Sequence, residues 1–248
     1  MKSYIVSVIS YLNSAPYLYG LDHFSFTNKI NLILDYPSKC SSNLVNRVSD
    51  ISLAPVVTLN SMPNISVINN YGIAADGSVD TVCLYSHVPI ENIKNILLDY
   101  QSNTSVELLK ILCREYWEIN PFFIKSKPGF EDGIIDKTAG LIIGDRAFSS
   151  NNIYPFVYDL SETWKKMTGL PFVFACWMSG TAICSGFIEE FNNAIDYGLN
   201  NIDNAISNYS KYFPKYINSY DYLNNKIYYN LNESMLYGMN LFLSKIKK

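Results

Sequence analysis

Apolar and polar positions along the chain change period several times, and each change marks an element. Residues 3–9 alternate and are rich in β-branched side chains, which predicts a first strand. Tyr11-Leu12-Asn13-Ser14-Ala15-Pro16 then forms a turn, with Pro16 suited to the first turn of a helix reaching about Leu21. The same order returns at once: a strand over 30–34, a helix opened by Pro37-Ser38 through about Val45, and a strand over 50–55 that Asp50 starts and Pro55 ends. Residues 79–85 predict another strand, on which Thr81 shares a face with Val79 and Cys83. After Pro89 the pattern starts again, with strands over 95–98, 121–124 and 139–143 and a helix over 106–116. Asp159-Leu160-Ser161-Glu162 has capping-box-like spacing and opens a helix over 163–167 that Gly169 and Pro171 close, before a very apolar strand over 172–178. Helical spacing dominates from there, over 185–199, 202–212, 220–228 and 233–246, the last with Leu236, Met239, Leu243 and Ile246 on one face.

The chain therefore reads as α/β to about residue 178 and helical afterwards. Two starts of the strand–helix–strand pattern predict two lobes, with crossovers near 85–89 and 170–177 and a final helical segment that completes the first lobe. The expected plan is an α/β, two-lobed periplasmic-binding-protein type II-like fold, with mixed sheets flanked by helices and a two-strand hinge. Its lobe I is 1–86 plus 176–248, its lobe II is 87–175, and ligand is held in the cleft between them.

Composition narrows the classes of function. In 248 residues, 48% hydrophobic, no run approaches the roughly 20 apolar residues that a membrane helix needs. Nineteen basic against 22 acidic residues, with no Lys/Arg run, leave no electrostatic footprint for nucleic acid. Cys40, Cys83, Cys113, Cys176 and Cys184 are widely spaced and odd in number, which fits free thiols in a reducing compartment better than a zinc site or a disulfide framework. The short apolar run after Lys2 reads as the first strand of a cytoplasmic protein, since Pro16 opposes cleavage at Asn13-Ser14-Ala15. No Gly-x-Gly-x-x-Gly fingerprint is present.

Candidate chemistry gathers where strands end. Leu98-Asp99-Tyr100-Gln101-Ser102-Asn103-Thr104-Ser105 is a strand end, a hydroxyl-rich turn and a helix start. Unpaired amides and a partial positive charge at a helix start let such a cluster cap the helix, or also grip a carboxylate or phosphate. Asn13 lies in the turn after a strand, as a helix cap or at the crevice where open α/β sheets bind ligands. Gly144 lets a ligand approach the backbone, while Asp145 and Arg146 fit a local ion pair, a helix cap, or a base beside an anion partner.

Taken in order, these stretches resemble the chorismate dehydratase family of the futalosine route to menaquinone. The matching segments are Ser10-Tyr11-Leu12-Asn13-Ser14-Ala15-Pro16, Pro37-Ser38-Lys39-Cys40, Asp50-Ile51-Ser52-Leu53-Ala54-Pro55, Thr81-Val82, Leu98-Asp99 with 102–106, Ile143-Gly144-Asp145-Arg146-Ala147, and Thr168-Gly169-Leu170-Pro171-Phe172. The resemblance implies dehydration of chorismate to 3-[(1-carboxyvinyl)oxy]benzoate, in which loss of the C4 hydroxyl and C3 proton makes the ring aromatic, so no metal, flavin or nicotinamide is called for. It implies Asn13, Thr81 and Asp145 as catalytic residues, with Asp145 or the substrate's own enolpyruvyl carboxylate taking the proton. It further implies Ser38, Pro55, Ser102, Asn103, Thr104, Ser105, Gly144 and Arg146 as substrate-binding residues. The expected partner is a small dianion, with no nucleic acid and no membrane. Two positions depart from the family pattern: Asn103 stands where an arginine is usual, and Thr81 where a serine is common. Two other readings share the fold: the sister enzyme that makes 1,4-dihydroxy-6-naphthoate, for which His87 would be the candidate base, and a solute-binding protein that does no chemistry.

Overall fold

The structure is a computed structural model, and it describes residues 3–150, 153–209 and 218–246. In chain order it contains β1 (Ser3–Ile9), α1 (Ala15–His23), β2 (Lys29–Asp35), α2 (Pro37–Val45), β3 (Ile51–Pro55), β4 (Ser66–Ala75), β5 (Val82–Ser86) and β6 (Asn95–Leu98). Then follow α3 (Asn103–Glu115), β7 (Phe122–Lys125), β8 (Thr138–Ile143), α4 (Asp145–Ser150), β9 (Phe156–Asp159), α5 (Leu160–Thr168) and β10 (Phe172–Ser179). The rest is α6 (Ser185–Leu199), α7 (Ile202–Tyr209), α8 (Ser219–Asp221), β11 (Tyr228–Asn230) and α9 (Glu233–Lys245). The end of the helix expected over 202–212 lies outside the described residues. Among the described residues, no helix is long and apolar enough to cross a membrane.

The chain divides into two compact units: Met1–Ile73 with Ala175–Leu231, and Ala74–Phe174 with Asn232–Lys248. It passes from one to the other within β4 and within β10, where the sequence reading put the passages at 86/87 and 175/176, and once more after Leu231. That last passage gives α9 to the second unit rather than to the first. Its reason is aromatic: Phe242 is fully buried, with its ring 5.0 Å from that of Phe172 and 6.1 Å from that of Trp164. Gly238 lets α9 approach the chain before β10, since a Cβ there would lie 2.4 Å from the Pro171 carbonyl oxygen.

In the first unit β1 pairs in parallel with both β2 and β3, within the sheet order β11-β4-β10-β3-β1-β2. Parallel strands need both faces covered, and β1 and β3 are accordingly almost wholly buried. Helices α1 and α6 meet backbone to backbone: a Cβ on Gly20 would stand 2.0 Å from the Ala194 carbonyl oxygen, and one on Gly198 would stand 1.9 Å from that of Pro16. Both prolines at helix starts, Pro16 and Pro37, sit in the first turn, where the missing N–H costs no helical bond.

The second unit holds a five-stranded mixed sheet, β7-β6-β8-β5-β9, with β6 parallel to β7 and β8 and β5 antiparallel to β8 and β9. Elements α3, β5, β9 and β11 differ from the sequence reading. Helix α3 begins at Asn103 because the Ser102 hydroxyl caps it, so the hydroxyl cluster lies inside its first turn. Strand β5 begins at Val82, because Asp80 takes a left-handed φ of 64° that no strand accommodates, and Thr81 therefore stands before the strand rather than on it. Strands β9 and β11 are short pieces that the helical pattern around them concealed.

Candidate functional site

In the second unit the residues expected at the site collect at the carboxyl ends of the parallel strands β6 and β8. Strand β6 ends at Leu98 and leads into the 99–102 turn, while β8 ends at Ile143 and leads into Gly144, Asp145 and Arg146. Gly144 has a φ of 65°, and its N–H donates to the Thr81 carbonyl oxygen at 2.8 Å, which brings Thr81 to the same end of the sheet. Ser102 Oγ accepts the Ser105 N–H at 3.0 Å and donates to Ser105 Oγ at 2.9 Å. Ser102, Thr104 and Ser105 are all buried, and Asn103 is exposed. The cap reading of this turn therefore holds for Ser102, whose hydroxyl serves the helix and orients that of Ser105.

Two buried carboxylates hold these turns, and neither was singled out from the sequence as part of the site. Asp159 caps α5 by accepting the Ser161 and Glu162 amides on Oδ1, at 2.9 and 3.0 Å. Its Oδ2 accepts the Val79 and Asp80 amides at 2.8 and 2.7 Å, so it also pins the left-handed turn that delivers Thr81. Asp99 accepts the Gln101 amide at 2.9 Å on Oδ1 and the Ile143 amide at 3.0 Å on Oδ2. Burial pushes both carboxyls above the ordinary carboxylate value, against the pull of their amide partners and, for Asp99, of Arg146. The signal in the sequence was thin: Asp99 directly follows an apolar strand and Asp159 has the spacing of a helix cap, while the amides they reach at Ile143 and Val79 lie 44 and 80 residues away.

Arg146 points back toward that network. Its Nη2 donates to Asp99 Oδ1 and Oδ2 at 2.8 and 2.6 Å and to Gln101 Oε1 at 3.1 Å, and its Nη1 donates to Glu131 Oε1 at 2.7 Å. The guanidinium carbon lies 5.3 Å from the ring centre of Tyr100 and 5.9 Å from that of Phe130. The guanidinium of Arg146 thus bridges the carboxylates of Asp99 and Glu131, and the adjacent Asp145 starts α4 and is half-buried. His87 is exposed, with its ring 5.2 Å from that of Tyr154, beside an open depression of about 460 Å³ that Glu131, Arg146 and Ser149 also line.

The first unit carries the other three expected residues, again at carboxyl ends of parallel strands. Asn13 follows β1 in a single 3₁₀ turn, Ser38 follows β2 in the first turn of α2, and Pro55 ends β3. The Asn13 carbonyl oxygen accepts the Tyr229 hydroxyl at 3.0 Å, and its Oδ1 accepts the Ser14 hydroxyl at 3.3 Å. Tyr229 stacks edge-on against Tyr17, whose hydroxyl donates to the Gly72 carbonyl at 2.6 Å, so a buried aromatic pair fixes the main chain at Asn13. His23 stacks on Tyr19 and bonds the Tyr19 carbonyl oxygen, a role within α1. Among the described residues, no group of three or more His, Cys, Asp or Glu is placed to hold a metal ion.

In the second unit, hydroxyls and main-chain amides at a helix start can hydrogen-bond an anion, and Asp145 is the carboxylate nearest in sequence to Gly144. In the first unit, Asn13 offers a carboxamide.

Compared with known proteins, residues 4–248 match a family described as menaquinone biosynthesis. A curated chorismate dehydratase of Thermus thermophilus is 27% identical over 200 residues, which cover 71% of this chain and 70% of that one. Among solved structures, a protein of Archaeoglobus fulgidus superposes with a TM-score of 0.79 at 15% identity, over 98% of this chain and 96% of the other. A Candida albicans protein that exhibits the generic periplasmic binding protein fold follows with 0.66 at 11% identity, over 98% and 90%. These likenesses show the periplasmic-binding-protein fold for this chain.

Proposed function

Because the chain belongs to the menaquinone biosynthesis family, we propose that it is an enzyme that removes water from chorismate, giving 3-[(1-carboxyvinyl)oxy]benzoate in the cytoplasm. The C3–H bond and the C4–O bond of the ring break, a proton and a hydroxide leave as water, and the ring becomes aromatic. The observation that carries this reading is the convergence of Thr81, Gly144 and the hydroxyl-capped start of α3 at one end of the second unit's sheet. There the start of α3, with the Thr104 and Ser105 side chains, binds one substrate carboxylate through the partial positive charge of a helix start. Thr81 and Asn13 are the proposed partners of the leaving hydroxyl and the remaining ring substituents, and Ser38, Pro55 and Gly144 are proposed binding residues. Asp145 or the enolpyruvyl carboxylate accepts the ring proton. Exclusion of water matters because each of these bonds strengthens when desolvated.

The test is direct. Purified protein incubated with chorismate is expected to consume the cyclohexadiene absorbance and release a product lighter by one water, and Asn13→Ala is expected to abolish turnover. Binding of chorismate without turnover would favour a solute-binding protein. Formation of 1,4-dihydroxy-6-naphthoate from the sister enzyme's substrate, lost on His87→Ala, would favour the sister reaction. Under the dehydratase reading, His87→Ala keeps full rate with chorismate.

A further inference from the structure

We infer that Asp99 and Arg146 form a positioning pair that fastens the turn before α3 to the end of β8, and that Arg146 is held for this purpose rather than presented to a substrate carboxylate. The ladder between β6 and β8 explains why a fastening is needed. Registered pairing runs Asn95 with Thr138, Ile96 with Ala139 and Leu97 with Gly140, and goes no further. Ile143 lies three residues beyond the last of these pairs, and its amide is taken by the Asp99 side chain instead of by a neighbouring strand. The Asp99 side chain is 0% exposed. Its two oxygens tie its own turn, through Gln101, to the end of β8, through Ile143, and to the start of α4, through Arg146.

Charge points the same way. One guanidinium faces the carboxylates of Asp99 and Glu131, so the cluster as a whole carries a surplus negative charge. A dianion arriving beside it meets no surplus positive charge. The Arg146 fork is moreover occupied on both arms, with the guanidinium carbon over the Tyr100 and Phe130 rings. What the pair does for binding is to set the spacing between the hydroxyls of α3's first turn and the Gly144 backbone.

The kinetic arm of the test rests on the function proposed above, and a second arm does not. Asp99→Asn, Arg146→Met and the double variant are compared in the full chain by amide hydrogen exchange at Gln101 and Ile143, and by steady-state kinetics with chorismate. A positioning pair predicts exchange at both amides at least tenfold faster in either single variant. It also predicts KM raised at least tenfold with kcat changed less, and a double variant no worse than the poorer single one, because the two side chains act as a unit. The opposite role for Arg146, as the substrate's cation, predicts that Asp99→Asn releases the guanidinium and leaves KM unchanged or lower, while Arg146→Met alone raises it. That pattern, or unchanged exchange at Gln101 and Ile143, would overturn the inference. If Asp99→Asn does not fold, Arg146→Lys serves, since an ammonium lacks the planar fork that meets Asp99, Gln101 and Glu131 together, and the same rise in exchange and KM is expected. A wild-type protein inert toward chorismate would sink the functional reading alone and leave the exchange arm to judge the pair.

Discussion

Replacing Asp159 by Asn changes one atom, and the structure says which bonds that atom carries. Each carboxylate oxygen accepts two main-chain amides, Ser161 and Glu162 on one and Val79 and Asp80 on the other. An amide group of the same shape can offer an oxygen to one pair only, and it turns an NH₂ toward two N–H donors on the other. Bonds to a charged acceptor contribute about 1.5–3 kcal/mol each. Burial has already raised the carboxyl's pKa, so relief of its desolvation offsets part of the loss, and a net cost of about 2–3 kcal/mol remains for Asn. Asp159→Ala gives up all four bonds, including a helix cap of about 1 kcal/mol, and is expected to cost about 3–4 kcal/mol. For a chain of this length each kcal/mol lowers Tm by roughly 2–4 °C, so thermal unfolding followed by circular dichroism should show Asn about 5–10 °C below wild type and Ala lower still. An Asn variant that melts with the wild type would mean that the Val79–Asp80 turn does not depend on a charged acceptor. Turnover of chorismate should fall in the same variant, since the turn that frays is the one that delivers Thr81.

Three further outcomes are expected. Gly198→Ala, whose new Cβ would stand 1.9 Å from the Pro16 carbonyl oxygen, should cost about 3 kcal/mol, because neither backbone can yield without separating α1 from α6; a melting temperature within a degree of wild type counts against that packing. Phe242→Ala should cost about 3–5 kcal/mol and expose α9 to limited proteolysis before the rest of the second unit, since its ring fills the space between Trp164 and Phe172; uniform cleavage would contradict this. Burial pushes the thiols of Cys40, Cys113 and Cys176 up to about 12 and that of Cys83 well above its ordinary value, so these four stay protonated and shielded at pH 8. Native protein should therefore release one equivalent from a thiol reagent, at exposed Cys184, and five in denaturant, and a native count above one would show that a buried site opens.

Much of the fold was legible because the chain uses local signals where elements begin and stop. Pro16 and Pro37 in first turns, Ser102 and Asp159 as caps and Gly169 with a φ of 76° all act within a few residues of where they stand, and the elements they bound lie close to where the pattern placed them. The strands β9 and β11, four and three residues long, carry too few positions for a period to emerge. The site was legible in part. That Asn13, Pro55, Ser102 and Gly144 stand at or just after the ends of β1, β3, β6 and β8 follows from strand ends, which any α/β reading marks. Which charge pairs with which does not: Asp145 and Arg146 look like a local couple, yet Arg146 reaches Asp99, 47 residues earlier. The left-handed Asp80 was equally hidden, since its cause is the distant Asp159 carboxylate and not the residues beside it.

The placement of α9 bears on how the chain reaches its native state during synthesis. The first unit is interrupted by the second, and the second receives its last helix only after the first has been completed, so neither is a continuous stretch that a ribosome could deliver and leave to fold alone. Until α9 has emerged, Trp164 and Phe172 have no Phe242 to cover them, and a nascent chain stalled before residue 232 is expected to be a chaperone client with its aromatic cluster bare.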